Sequence, residues 1–273
     1  MSYSDLMIRA RRALLDALVA LEPHRDALVL VGAQAVYLHT GDTDVAIATT
    51  TKDSDLAVIP DKLGGHPLLN ELMEGAGFHR DLQGLQGQWF SKDGVPVELL
   101  VPAGLEPSGH RGARIPPHDK QSALRVPGLE AAAVDHALRK IAALETSDDR
   151  TVEINVAGPA ALLVAKAYKI GERLAAAEAG GRDRTEPKDA HDVYRLLKAV
   201  GPDSIRASIE RLLLDEVSTE AARTAVDYLH RYGNAPDAPL CTLAGRAEVG
   251  FGDPELVAAQ VSELLAGAIG GRL

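Results

Sequence analysis

The chain contains a single cysteine, Cys241. That excludes an internal disulfide and any zinc cage built from thiolates, and it makes a reducing compartment the simplest setting. Aromatic residues are scarce, at 4%, so leucine, alanine and valine have to build the core. No run of 18 apolar residues occurs, so no membrane-spanning helix is expected. The stretch from Met1 to Arg12 is charged and amphipathic and lacks the apolar centre of a signal peptide; a cytoplasmic protein is the expectation. Cations are in the minority, with 29 Lys and Arg against 39 Asp and Glu and a net charge of −10. This argues against a broad, non-specific nucleic-acid binder and leaves room for a local basic groove. The nine histidines show no His-x-x-His or His-Glu-x-x-His spacing, which removes the common zinc signatures. There is no Gly-x-x-x-x-Gly-Lys-Ser/Thr loop, and no arrangement supports a Ser or Cys nucleophile.

What is present is enough for a real core. A chain of 273 residues that is 46% hydrophobic can form one large or two modest domains without staples. Apolar spacing from Asp5 to Leu21 predicts an amphipathic helix with Ser4 as its cap. Leu28 to Val31 reads as a buried strand ending at Gly32, Ala33 to His39 as a helix stopped by Gly41, and Asp55 to Ile59 as a second strand. Pro67 to Gly75 is helix-like. Gly87–Ser91 and Val95–Val101 flank an Asp93-Gly94 hairpin turn. Five prolines between Pro102 and Pro127 predict a long loop or arm. Thr151 to Val156 alternates as a strand does. Beyond Gly158 the pattern is helical, interrupted at Gly180 to Pro187. The expectation is an α/β (α+β) protein: a mixed-sheet lobe over residues 1–157 and a helical lobe over 158–273.

Three segments of the first lobe carry chemistry. Val31-Gly32-Ala33-Gln34 runs from strand to glycine to helix start, where backbone N–H groups can meet a phosphate. Asp53 and Asp55, at the head of a strand and spaced i, i+2, point to one face. Hard divalent cations, magnesium or manganese, would relieve their repulsion and hold the phosphates of a nucleoside triphosphate. Glu98 is a lone acid inside the apolar strand Val95–Val101, a costly placement unless it is paired, metal-bound or turned to solvent. Asp53, Asp55 and Glu98 form a candidate metal set, with Glu98 also able to deprotonate an attacking hydroxyl.

This ordered pattern resembles the nucleotidyltransferase superfamily, whose signature is hydrophobic-Gly-Gly/Ser, a gap, Asp-x-Asp/Glu and a third acid on a later strand. Within it the chain is similar to the AbiEii-type toxins and the related MenT toxins of mycobacteria, over about Val29 to Leu197. Leu162-Leu163-Val164-Ala165-Lys166 with Gly171-Glu172-Arg173, and Lys188-Asp189-Ala190-His191-Asp192-Val193-Tyr194, look like two family segments of the helical half. The resemblance implies transfer of a nucleoside monophosphate from an NTP, with a pyrimidine nucleotide as donor, to an RNA such as a tRNA 3′ end, by a toxin paired with an antitoxin. It implies NTP contacts from Gly32, Ala33, Thr51, Lys166, Lys169, Arg173 and Asp192. Lys166 would neutralise phosphates, and Asp189 or Asp192 would orient Lys166, Lys169 or Arg173. Thr51, two residues before Asp53, matches a position whose phosphorylation silences MenT toxins. The chain departs from the pattern at Ala33, in the longer gap that includes Gly41 to Thr50, and at Glu98, where many relatives have Asp.

A positive stretch in this acidic protein, His110-Arg111-Gly112-Ala113-Arg114 followed by His118, Lys120 and Arg125, suggests an acceptor-binding arm at Arg111, Arg114 and Lys120; a solvated loop is the other reading. Trp89 and Phe90 could stack a base or sit in the core. Other functions stay open at this stage: transfer to a small molecule, as in aminoglycoside-modifying relatives, transfer to a protein hydroxyl, or a regulatory module that binds NTP without turnover.

Overall fold

The structure, a computed structural model, describes residues 5–41, 52–81, 84–106 and 111–270. The described residues divide into two compact units, one drawn from Met1–Ala35 and Ala48–Ala157, the other from Val36–Ile47 and Gly158–Leu273. The predicted cap at Ser4 and the long gap after Gly41 lie outside the described residues.

In the first unit, α1 (Asp5–Ala20) buries Met7, Ala10, Leu14, Leu15 and Leu18, the i, i+3, i+4 stripe that its sequence announces. Each fully buried leucine contributes on the order of 2 kcal/mol. Strand β1 (Leu28–Val31) is buried along its whole length and leads directly into helix α2 (Gly32–Thr40). After it come β2 (Ser54–Val58), α3 (Leu69–Gly75), β3 (His79–Arg80), β4 (Gln88–Phe90), β5 (Pro96–Pro102), β6 (Leu124–Val126), α4 (Glu130–Val134), β7 (His136–Ala142) and β8 (Thr151–Ala157). Among the described residues the strands make one sheet in the order β3-β4-β5-β2-β1-β8-β7, with β6 added beside β5. The sheet is mixed: β1 is antiparallel to β2 and parallel to β8, and β2 is parallel to β5. The expected hairpin forms between β4 and β5, and Gly94 takes the positive φ of its turn, 70°.

The arm from Pro102 to Pro127 needs correcting. It is not one long irregular loop, because β6 pairs in parallel with β5 and Gly112 bridges to Leu124. The run Ala123-Leu124-Arg125-Val126 carried the signal, and prolines on both sides concealed it. Strand β7 and helix α4 were not anticipated at all. An edge strand with four consecutive exposed residues has no clean alternation to read.

The second unit is helical: α5 (Pro159–Glu178), α6 (Pro187–Val200), α7 (Pro202–Leu214), α8 (Thr219–Tyr232), α9 (Pro239–Arg246) and α10 (Pro254–Ile269). Proline opens most of these helices, at the position where its missing N–H costs nothing. The mixed α/β class expected from the sequence is therefore what the chain adopts.

Candidate active site

The sheet register places the acids. Val31 pairs with Asp55, Asp55 with Glu98, and Glu98 with Gln88. One row thus crosses β1, β2, β5 and β4, and paired positions share a face. The next row, Leu30, Leu56 and Leu99, is fully buried on the other face. Adjacent strands run about 4.8 Å apart, so Asp55 and Glu98 present neighbouring carboxylates. Both are half-buried, as is Asp53, just ahead of β2. Nε2 of Gln88 donates to Oε1 of Glu98 at 2.9 Å, which orients the third acid.

Gly32 completes this corner. Its φ is +68°, a backbone region in which L side chains are strained. A Cβ built there would overlap Oδ2 of Asp55 and lie 2.7 Å from its Cγ. The glycine turn and the second acid therefore occupy one space, and Ala33 follows in the first turn of α2. The turn, Asp55 and Glu98 come together, whereas Asp53 does not join them in a three-acid group.

Among the described residues, no group of three or more His, Cys, Asp or Glu side chains is placed to hold a metal ion by itself. Asp55 and Glu98 are nevertheless adjacent hard oxygen donors in register. That fits magnesium, which is commonly held by one or two carboxylates together with substrate phosphates and water, and seldom by an all-protein cage.

The helical unit carries a second charged cluster. Nζ of Lys166 is 2.8 Å from Asp189 and 2.7 Å from Asp192. Lys169 reaches Asp189 at 2.9 Å and Arg173 reaches it at 3.4 Å. Burial alone would lower the Lys166 pKa, but Asp192 and Asp189 outweigh it and hold the ammonium well above its usual range. Burial alone would raise Asp189, yet Lys166 and Lys169 keep it ionised, below the usual carboxylate range. Asp189 contacts all three cations, and Asp192 contacts Lys166. The ammonium of Lys166 is enclosed by its two acids, whereas the Lys169 side chain remains 42% exposed.

The arm resolves into two kinds of residue. Arg111, Arg114 and Lys120 are exposed. Arg125 instead lies 3.3 Å from the buried Glu106 and donates to the carbonyl of Ala103 at 2.8 Å. His118 is buried; its Nδ1 accepts from the backbone N–H of Leu69 at 3.2 Å, and burial lowers its pKa. Trp89 is wholly buried, with its indole N–H donating to the carbonyl of Ser122 at 2.9 Å, so it belongs to the core and is no stacking platform. Thr51 and His110 lie outside the described residues. The thiol of Cys241 is buried and pushed up to about 11 by that burial, consistent with a core residue. Sequence reasoning missed Gln88 and Glu106, and it missed the buried side chains Arg11, Gln34 and Ser54. Gln34 is a lone polar residue in an apolar run, but Ser54 stands between two acids and Arg11 beside Arg12, so the sequence around those two gives no sign of burial.

No protein-family model matches the chain, and no curated protein matches it. Among solved structures, it is similar to an antigenic nucleotidyltransferase-like protein from Paracoccidioides brasiliensis, at 14% identity over 82% of this chain and 94% of that one, with a TM-score of 0.38. A likeness of that degree decides nothing about the reaction. No described helix is long and apolar enough to cross a membrane.

Proposed function

We propose that this protein is a metal-dependent nucleotidyltransferase that moves a nucleoside monophosphate from an NTP to an acceptor hydroxyl. The observation that carries the reading is the shared space of Gly32 and Asp55 with Glu98 in register beside them. A glycine turn at a helix start suits phosphate oxygens, and adjacent carboxylates suit the cation that accompanies them. Asp55 and Glu98 would hold Mg2+ or Mn2+ together with the triphosphate, Asp53 joining them by the sequence pattern alone, and the ion when bound supplies charge neutralisation for the triphosphate. Glu98, oriented by Gln88, would take the proton of the attacking hydroxyl. The acceptor oxygen bonds to the α-phosphorus, the bond from that phosphorus to the bridging oxygen breaks, and pyrophosphate leaves. By the sequence likeness, Lys166, Lys169 and Arg173 would meet phosphate charge; because the Lys166 ammonium is enclosed by Asp189 and Asp192, that role would fall to Lys169 and Arg173, with Lys166 holding the two acids in place.

The acceptor is read from surface charge and the sequence likeness. Exposed Arg111, Arg114 and Lys120 in a chain of net charge −10 favour a polyanion, and the sequence likeness favours an RNA 3′ end and a toxin held by an antitoxin. The test is incubation with each of the four α-labelled NTPs and Mg2+ or Mn2+, offered total RNA, protein or aminoglycosides, with Asp55→Asn as control. Label transferred to RNA by the wild type alone supports the full reading. Label on a small molecule or protein moves the acceptor. Cation-dependent NTP binding with no transfer to any acceptor overturns the enzyme and leaves a regulatory module.

A further inference from the structure

On the opposite face of β2 runs a series of buried polar contacts that the mechanism above does not use. Ser54 stands between Asp53 and Asp55 in the chain and is fully buried. Its Oγ accepts from Nε2 of Gln34 at 2.5 Å and donates to the carbonyl of Ala10 at 3.1 Å. Oε1 of Gln34 accepts from Nε of Arg11 at 2.7 Å, and NH1 of Arg11 donates to the carbonyl of Ala142 at 2.9 Å. Arg11, Gln34 and Ser54 are 4%, 1% and 0% exposed.

From the guanidinium through the amide to the hydroxyl, every donor points the same way, so each bond polarises the next. Burying a guanidinium against an amide and a backbone carbonyl is an expensive way to fill space. Its effect is positional. Side chains alternate across a strand, so locking Ser54 on one face sets where Asp55 emerges on the other. Gln34 lies two residues beyond Gly32, so the same amide also ties the glycine turn to the acid strand. A slip of β2 along β1 would break the Gln34–Ser54 bond and separate Gly32 from Asp55 together.

We infer that Arg11, Gln34 and Ser54 are positioning residues that hold the Gly32 turn and the Asp53/Asp55 pair in register for a metal-bound nucleotide. This inference rests on the transferase reading. None of the three touches the reacting atoms; they act through the backbone of α2 and β2.

The test reads Mn2+ affinity by electron paramagnetic resonance with a non-hydrolysable NTP analogue, with folding followed by circular dichroism. Ser54→Ala and Gln34→Leu are expected to weaken Mn2+ about tenfold, the effect typical of residues that support metal ligands without touching the ion. Arg11→Met/Gln34→Met/Ser54→Ala removes the whole series together and leaves no polar side chain of it orphaned, so its unfolding should stay cooperative. It is expected to bind Mn2+ as weakly as the single variants. Folded variants that keep Mn2+ affinity within about twofold of wild type overturn the inference, because second-sphere effects are larger. Loss of cooperative unfolding in the triple variant also overturns it, since the series would then be holding the fold. A wild type that binds no Mn2+ with the analogue overturns the transferase reading itself, and the wild-type arm alone shows this.

Discussion

Asp55 occupies the space that a side chain on Gly32 would need: its Oδ2 overlaps the point where that Cβ would stand, and its Cγ is 2.7 Å away. Two costs therefore fall on Gly32→Ala. The backbone at φ +68° is strained for any L residue by roughly 1–2 kcal/mol, and the carboxylate must swing away. The expected result is a fall in transfer of about a hundredfold or more, since a ligand moved even slightly loses its transition-state role. The melting temperature should drop by a few degrees, as about 1 kcal/mol shifts a domain of this size by roughly 2–4 °C. Normal single-turnover transfer in this variant would show that the position of Asp55 is not needed.

Asp53→Asn and Asp55→Asn keep shape and remove charge. Each is expected to cut metal-dependent transfer by about a hundredfold or more. Each should also abolish the rise in melting temperature that Mg2+ with NTP gives the wild type, because a ligand stabilises only the state that binds it. Differential scanning fluorimetry with and without EDTA reads this without any acceptor. A metal-induced shift of equal size in wild type and Asp55→Asn would remove Asp55 from the metal site.

The Lys166 cluster ties stability of the helical unit to pH in a definite direction. The folded pKa of Asp189 is depressed, so its contribution is present above its unfolded value of about 3.9 and is lost as pH falls through the folded one. The folded pKa of Lys166 is raised, so its contribution is complete below about 10.4 and is lost only as pH climbs through the folded value. Stability from this cluster should be flat between about pH 4 and pH 10 and fall on the acid side first. Lys166→Met leaves Asp189 and Asp192 buried without their shared partner, at a cost of about 3–5 kcal/mol near neutrality. Because acid removes what the ion pairs contribute, the gap between variant and wild type should narrow as pH drops toward and below about 4. Urea unfolding at several pH values checks this. A gap that stays constant or widens would mean that Asp189 is not held ionised by Lys166.

The sequence made the acid row legible because its three parts obey simple periodicities. Leu28–Val31 reads as a buried strand, Asp55 stands at the head of a second one, and Glu98 stands alone among valines and leucines. What it could not reveal is that Asp55 and Glu98 are cross-strand neighbours, since register between β2 and β5 depends on a connection of many residues. The Arg11–Gln34–Ser54 series was hidden for a related reason. Arg11 falls within a stripe of apolar positions on α1, where an arginine ordinarily lies at an edge and extends to water. Strand β6 was masked by flanking prolines, and Trp89 gave no sign from sequence alone of which way its ring would face.

In the arm, exposure separates residues that composition had grouped. Arg111→Glu and Arg114→Glu change exposed side chains, and are expected to reduce acceptor use severalfold, to flatten its salt dependence and to spare NTP binding. Arg125→Ala should behave differently. It leaves the buried carboxylate of Glu106 without its cation, so thermal stability should fall by about 1–3 kcal/mol. Titrating acceptor use against salt in the folded variants distinguishes the two. If Arg111→Glu and Arg114→Glu keep the wild-type salt response, the acceptor lies elsewhere.

Gly171 looked like part of a family segment with Arg173, and the structure gives it a packing reason as well. A Cβ there would run into Cγ of Tyr228 and lie 2.6 Å from its Cβ, so the ring of α8 lies directly against the backbone of α5. Two effects of Gly171→Ala oppose each other. Alanine is a better helix former by about 1 kcal/mol, while overpacking typically costs about 1–3 kcal/mol. The clash should win, because the atoms met are the base of the tyrosine side chain and cannot rotate clear. Tyr228 is further constrained by its stacking on Tyr232 and its edge contact with Tyr168. Hydrogen exchange in α5 and α8 should accelerate in Gly171→Ala. In a Tyr228→Gly background, which removes the ring and the Cβ that lies 2.6 Å away, the sign should reverse, with the Gly171→Ala change now stabilising the helix. A Gly171→Ala penalty that persists without the Tyr228 side chain would place its cause in the backbone of α5 and not in this contact.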